Sequence, residues 1–157
     1  MAKKEREERV EKLIGVARSL IGAPYKYGAC AEEYKYINGK MFFDCSLFIQ
    51  YIFKQIGVEL PRSTILQAAA PGKEISGKRG DEVAIGDVAF YEGERGHYRH
   101  DLFPDKKIYI GHAVICTDAS GIIHACNNSI YSGVVEHSII HLPDYYNPIV
   151  LIKRFIV

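Results

Sequence analysis

Phe43-Asp44-Cys45-Ser46-Leu47-Phe48-Ile49-Gln50-Tyr51-Ile52-Phe53 is the stretch whose reading decides the fold. Here an extended or turn segment gives way to an apolar helix. Asp44 and Ser46 both carry side-chain oxygens of the kind that cap a first helical turn. From Leu47 onward apolar residues fall at 47, 48, 51, 52 and 56. That is a 3.6-residue stripe, which packs one helix face against a protein body. Cys45 is therefore expected in the first turn, where free backbone N–H groups and the helix dipole favour a thiolate. Most cysteines are small core hydrophobes. The position of this one, at the mouth of the strongest helix in the chain, argues for a nucleophile.

The rest of the chain supplies the body. Its 157 residues, 48% hydrophobic and 25% charged, fit a single domain over 1–157 with a packed core. A formal charge of +1 gives no electrostatic case for a nucleic-acid surface. Cys30, Cys45, Cys116 and Cys126 form no C-x-x-C pair, so neither a zinc ribbon nor a thioredoxin-like centre is indicated. A domain of this size also needs no disulfide framework. Met1 to Arg9 are mostly charged, no signal-like apolar run follows, and no stretch reaches membrane-spanning length. The expectation is a cytoplasmic protein without a membrane partner. A phage-borne or lysis-released enzyme would look the same.

Outward from the cysteine helix, expected over 45–56 and ended by Gly57, the pattern is helices first and strands second. Residues 3–21 form an amphipathic helix with Val10, Leu13, Ile14, Ala17, Leu20 and Ile21 on its apolar face, stopped by Gly22 and Pro24. Residues 31–43 read as an aromatic loop or small hairpin about Asn38-Gly39. Ser63 or Thr64 caps a short helix over 65–70, and 72–86 read as a surface connection. Strands are expected at 87–91, 108–117, 122–126, 134–136 and 150–157, with a tight turn at 118–121. Residues 92–108 read as a polar inserted loop or long hairpin tip. The class is α+β, with N-terminal helices on an antiparallel sheet of about five strands.

Alternation along the strands then groups the chemistry. His112, Val114 and Cys116 share one face, as do Ile122, His124 and Cys126. The turn makes these strands neighbours but places His112 nearer to residue 127 than to His124, so the two histidines meet on a diagonal unless a bulge shifts the register. A cysteine nucleophile needs an imidazole at its thiol and a third polar group on the other ring nitrogen. Cys45, His112 and His124 supply that set. Two buried histidines can instead be satisfied core residues. With a cysteine they can also bind zinc, although no acidic residue stands at ligand spacing. His97 and His100, three apart in a polar loop, read as solvated.

Four pieces in this order resemble the NlpC-type papain-like cysteine peptidases, bacterial hydrolases of cell-wall peptides. They are Pro24-Tyr25-Lys26-Tyr27-Gly28; Phe43-Asp44-Cys45-Ser46 with its helix and Leu60-Pro61-Arg62-Ser63; Gly86-Asp87-Val88-Ala89-Phe90-Tyr91; and the pair Gly111-His112-Ala113-Val114-Ile115 and Ile123-His124-Ala125. The resemblance implies a minimal, circularly rearranged papain-like fold. It implies Cys45 as nucleophile, His112 as general base and then acid, and His124 as the residue that orients His112. Tyr25 and the Cys45 main-chain N–H would hold the oxyanion, Asp44 would fix the turn, and Ser46 would buttress the site. It further implies hydrolysis of an amide through a thioester, without metal or cofactor. The substrate would be a peptide or cell-wall fragment cleaved after D-glutamate, with a diamino acid on the leaving side.

This chain departs from the pattern at Leu47, which replaces the usual glycine, and in longer segments over 28–44 and 91–111 that reshape the cleft. Two other functions fit the same residues. One is an acyltransferase, or an amidase on a non-peptidoglycan substrate, using the same Cys-His-His set. The other is a binding module that keeps the scaffold without turnover.

Overall fold

The computed structural model describes residues 2–29, 41–97, 99, 101–118, 120–128, 130–138 and 148–157. Cys30, the Asn38-Gly39 turn and His100 lie outside the described residues. Three helices precede most of the sheet: α1 (Lys3–Ser19), α2 (Cys45–Lys54) and α3 (Thr64–Ala69). The strands are β1 (Lys73–Glu74), β2 (Val88–His97), β3 (Ile110–Cys116), β4 (Gly121–Asn127), β5 (Ser132–Ser138) and β6 (Ile149–Arg154). They form one sheet in the order β1-β6-β2-β3-β4-β5, with every neighbouring pair antiparallel. The architecture is the expected α+β class with one strand more than five. Among the described residues no helix is long and apolar enough to cross a membrane.

The extra strand is β1, whose two residues pair with Arg154 and Lys153 inside what the composition suggests is a plain surface connection. A glycine-rich, charged sequence hides a strand this short, because two backbone pairs need no apolar side chains. The second difference is β2, which runs on to His97 through irregularities after Tyr91 and Glu92 instead of ending at Tyr91. The segment that follows is not purely polar in its packing. Phe103 is buried in the main core and Leu102 packs against it.

The sheet separates two apolar clusters. One face joins Val88, Phe90, Ala113, Ile115, Ile123 and Ala125 to residues of all three helices. The other holds the smaller cluster of Ala89, Tyr91, Val114, Cys116 and Ile122. Helix α2 is the centre of the larger cluster. Its Leu47, Phe48, Ile49, Ile52 and Phe53 are all buried, while Tyr51 is only partly so. A single stripe is therefore too narrow a description, since an element apolar nearly all round belongs inside. Phe43 packs edge-on to Phe48 and Tyr51 and fixes the approach to the helix.

Two close backbone approaches hold the cysteine side of the molecule together. Gly22 N–H donates to the Val134 carbonyl and Val134 N–H donates to the Ala23 carbonyl, which ties the end of α1 to β5. Gly133, at φ +100°, permits this, because a Cβ there would lie 2.5 Å from the Ala23 oxygen. Pro24 and Lys26 then bracket Phe43 by main-chain hydrogen bonds, and Tyr25 bridges Phe43 in parallel. The proline-tyrosine segment is thus fastened beside the nucleophile turn by its own backbone.

Candidate active site

Asp44 builds the start of α2. Its Oδ1 accepts the Leu47 N–H at 2.8 Å, which satisfies an orphan donor of the first turn, and accepts the Ser46 hydroxyl at 3.2 Å. Its Oδ2 accepts the Gly28 N–H at 3.1 Å and the Arg62 guanidinium at 2.7 Å. Arg62 also donates to Ser46 Oγ at 2.7 Å and to the Ala29 carbonyl at 2.6 Å. Gln67 of α3 spans the Ser46 and Pro61 carbonyls, 2.8 Å each. Asp44 caps the helix, and Ser46 ties its hydroxyl to that cap instead of capping the turn itself. Arg62 is the member of this network that sequence reasoning quoted only as part of a motif.

Cys45, Tyr25 and His112 line one cavity of about 820 Å³, together with Tyr27, Arg62, Ser63, Gly93 and Gly111. Gly93 and Gly111 approach so closely that a Cβ at 111 would collide with Gly93 Cα. Tyr27 is 86% exposed, so its ring stands at the rim and not in the core. Of the 31–43 segment, residues 31–40 lie outside the described residues.

The electrostatics correct one expectation. Burial pushes the Cys45 thiol up to about 11, and the Asp44 carboxylate adds to the rise. The N–H groups of Ala113 and Ser46, and the Arg62 charge, act in the opposite direction but do not prevail. Burial holds His112 down at about 4. Desolvation thus works against both the thiolate and the imidazolium. Tyr25 is likewise raised by burial, with Cys45 and Asp44 adding, so its hydroxyl keeps its proton and can donate.

His112 and His124 meet, in a register one residue away from the expected one. The register Ile115↔Ile123 and Cys116↔Ile122, continued along the strands, sets position 112 across from 126. His112 Nε2 nonetheless reaches His124 Nδ1 at 2.7 Å. His112 is thereby fixed through Nε2, and Nδ1 is the nitrogen through which it can exchange a proton with a thiol. His124 is fully buried and held well below its ordinary value by burial, then by its two histidine neighbours. The second neighbour is His137, whose Nε2 lies 2.8 Å from His124 Nε2. Sequence reasoning missed it because β5 was expected to stop at Glu136. Continued alternation from Val135 would have put His137 on the same face. Among the described residues no group of histidine, cysteine or acidic side chains is arranged to hold a metal. The ring nitrogens face one another instead of converging on a shared point.

Residues 22–141 match the NlpC/P60 family. A probable endopeptidase of Corynebacterium glutamicum is 31% identical over 137 residues, covering 83% of this chain and 49% of that protein. The chain thus spans about half the length of that curated relative. Among solved structures, the peptidoglycan hydrolase RipB from Mycobacterium tuberculosis superposes with a TM-score of 0.67 at 21% identity, over 100% of this chain and 69% of that one. The P60 domain of a Mycobacterium avium subspecies paratuberculosis antigen does so with a TM-score of 0.68 at 20% identity, over 98% of both chains.

Proposed function

The chain belongs to the NlpC/P60 family, and on that premise we propose that it is a cysteine peptidase that hydrolyses amide bonds in peptidoglycan-derived peptides through a thioester. The bond is the one after D-glutamate, with a diamino acid leaving. The observation that carries the reading is the cavity shared by Cys45 and His112, with His112 backed by His124 at 2.7 Å. The probable endopeptidase activity in the name of the corynebacterial relative and the peptidoglycan hydrolase RipB support the substrate class.

The chemistry follows from these two groups. His112 Nδ1 takes the thiol proton as a bound carbonyl arrives. The thiolate attacks the carbonyl carbon, and the imidazolium remains beside it. Negative charge on the carbonyl oxygen is met by the Cys45 main-chain N–H and the protonated Tyr25 hydroxyl. His112 then gives its proton to the leaving nitrogen, and the carbon–nitrogen bond breaks. Water, deprotonated by His112, attacks the thioester and restores the thiol. Closure of substrate over the cavity strengthens each of these interactions by excluding water.

The test is cleavage of a short peptide containing the D-glutamyl–diamino acid bond, followed by mass spectrometry, for the wild type and Cys45→Ala. Release of the diamino-acid fragment by the wild type only is the expected result. Turnover that survives in Cys45→Ala would remove the nucleophile assignment. Transfer of the acyl group to an added amine in preference to water would identify an acyltransferase instead.

A further inference from the structure

The bond from His124 to His137 is not used by the mechanism above. It joins three consecutive antiparallel strands, because His112, His124 and His137 sit on β3, β4 and β5. The rings of His124 and His137 are nearly coplanar, 20° apart with centroids at 5.0 Å. With the two Nε2 atoms at 2.8 Å, an N–H of one ring points along the in-plane lone pair of the other. His124 is fully buried, whereas His137 is half-buried on the edge strand. Tyr131 stands edge-on to His137 with centroids at 4.7 Å.

One hydrogen occupies each nitrogen–nitrogen contact, so the direction of one bond sets the next. When His112 is an imidazolium, its Nε2–H must donate to His124 Nδ1. His124 then carries its own hydrogen on Nε2 and donates it to His137 Nε2. His137 accepts, with its hydrogen on Nδ1. We propose that His137 is a positioning residue for the hydrolysis: by accepting from His124 Nε2 it holds His124 in the tautomer that can receive the His112 imidazolium. This rests on the cysteine-peptidase reading.

The same chain limits where a proton can sit. A proton added to His137 makes its Nε2 a donor toward His124. The His124 hydrogen must then lie on Nδ1, aimed at His112 Nε2, which must present a lone pair. One excess proton is therefore shared by the three rings. It passes from His137 to His112 in two hops, each breaking one N–H and forming one, and it leaves from His112 Nδ1 to the amine nitrogen. Among the described residues, the titratable groups set against His137 include His124 from β4 and Tyr131 from the turn before β5. Glu136, next in sequence, pairs with Arg18 of α1 at 3.1 Å.

The test compares His137→Phe, which keeps a planar ring but no acceptor, with His137→Gln, whose amide oxygen can take the His124 N–H. Nitrogen-15 chemical shifts of the wild-type histidines are read first. His124 is expected as the Nε2–H tautomer. His124 found as Nδ1–H overturns the proposal without any variant. His137→Phe is expected to lower kcat about tenfold with KM within about twofold, to slow Cys45 alkylation and to change the pH profile of both. His137→Gln should recover most of the loss. Wild-type kcat in His137→Phe, or a His137→Gln no better than His137→Phe at equal thermal stability, refutes the positioning role. A wild type that neither cleaves the peptide nor alkylates Cys45 ahead of Cys116 and Cys126 refutes the peptidase reading instead, and the tautomer measurement separates the two failures.

Discussion

Replacing Asp44 separates two jobs that one carboxylate performs. It is 6% exposed, yet it accepts hydrogen bonds from the Leu47 and Gly28 N–H groups, the Ser46 hydroxyl and Arg62. In Asp44→Ala the lost cap costs about 1 kcal/mol. The buried Ser46 hydroxyl, left without its acceptor, costs about 1 kcal/mol, and the exposed Gly28 N–H, which water can reach, costs less than that. The Arg62 pair adds less than about 1 kcal/mol, since the Arg62 side chain is 39% exposed and solvent screens it. The expected loss is about 3 kcal/mol, or about 10 °C in Tm for a domain of this size. Asp44→Asn keeps the cap, because asparagine serves as well there, but removes the charge that helps raise the Cys45 thiol. The thiol should therefore ionise at lower pH than about 11, and Cys45 should alkylate faster than in the wild type at pH 8. Urea denaturation gives the first quantity, and iodoacetamide labelling with peptide mapping gives the second. A loss below about 1 kcal/mol in Asp44→Ala would contradict the hydrogen-bond accounting. Unchanged labelling in Asp44→Asn would show that the sulfur does not feel the carboxylate.

Brief labelling of the wild type should modify Cys45 ahead of Cys116 and Cys126, which are both 2% exposed; equal rates would count against a reactive cysteine at the cavity. Stability should fall as the solution is acidified. An unfolded histidine protonates near 6.5 whereas folded His112 does so near 4, so between these values the unfolded chain binds more protons. The loss between pH 7 and pH 4 is about 3 kcal/mol from this group, and denaturant melts of His112→Gln should lack that share of the slope. Gly111→Ala should cost about 2 kcal/mol, because its Cβ meets Gly93 across a backbone contact that cannot yield cheaply. A wild-type Tm in that variant would mean the two strands sit farther apart.

Local signals were enough for α2, for its cap and for the cysteine at its mouth. Asp44 and the apolar run act on neighbours a few residues away, and such short-range preferences leave their mark in composition and period. The β3–β4 turn was legible for the same reason, but the register that sets His112 against His124 differs by one residue from the expected one, and only the folded hairpin fixes it. What the sequence left open depends on residues far apart in the chain. Arg62 reaches Asp44 and Ala29 only once α2 and the turn before α3 are packed together. His137 joins His124 only when β5 continues past Glu136. The desolvation that pushes the Cys45 thiol up is set by the packing of the whole core around it, which the helix pattern alone does not reveal. Sequence by itself determined which groups are present and which element carries each. The tertiary structure decided their distances and their hydration, and those two quantities govern where a proton resides.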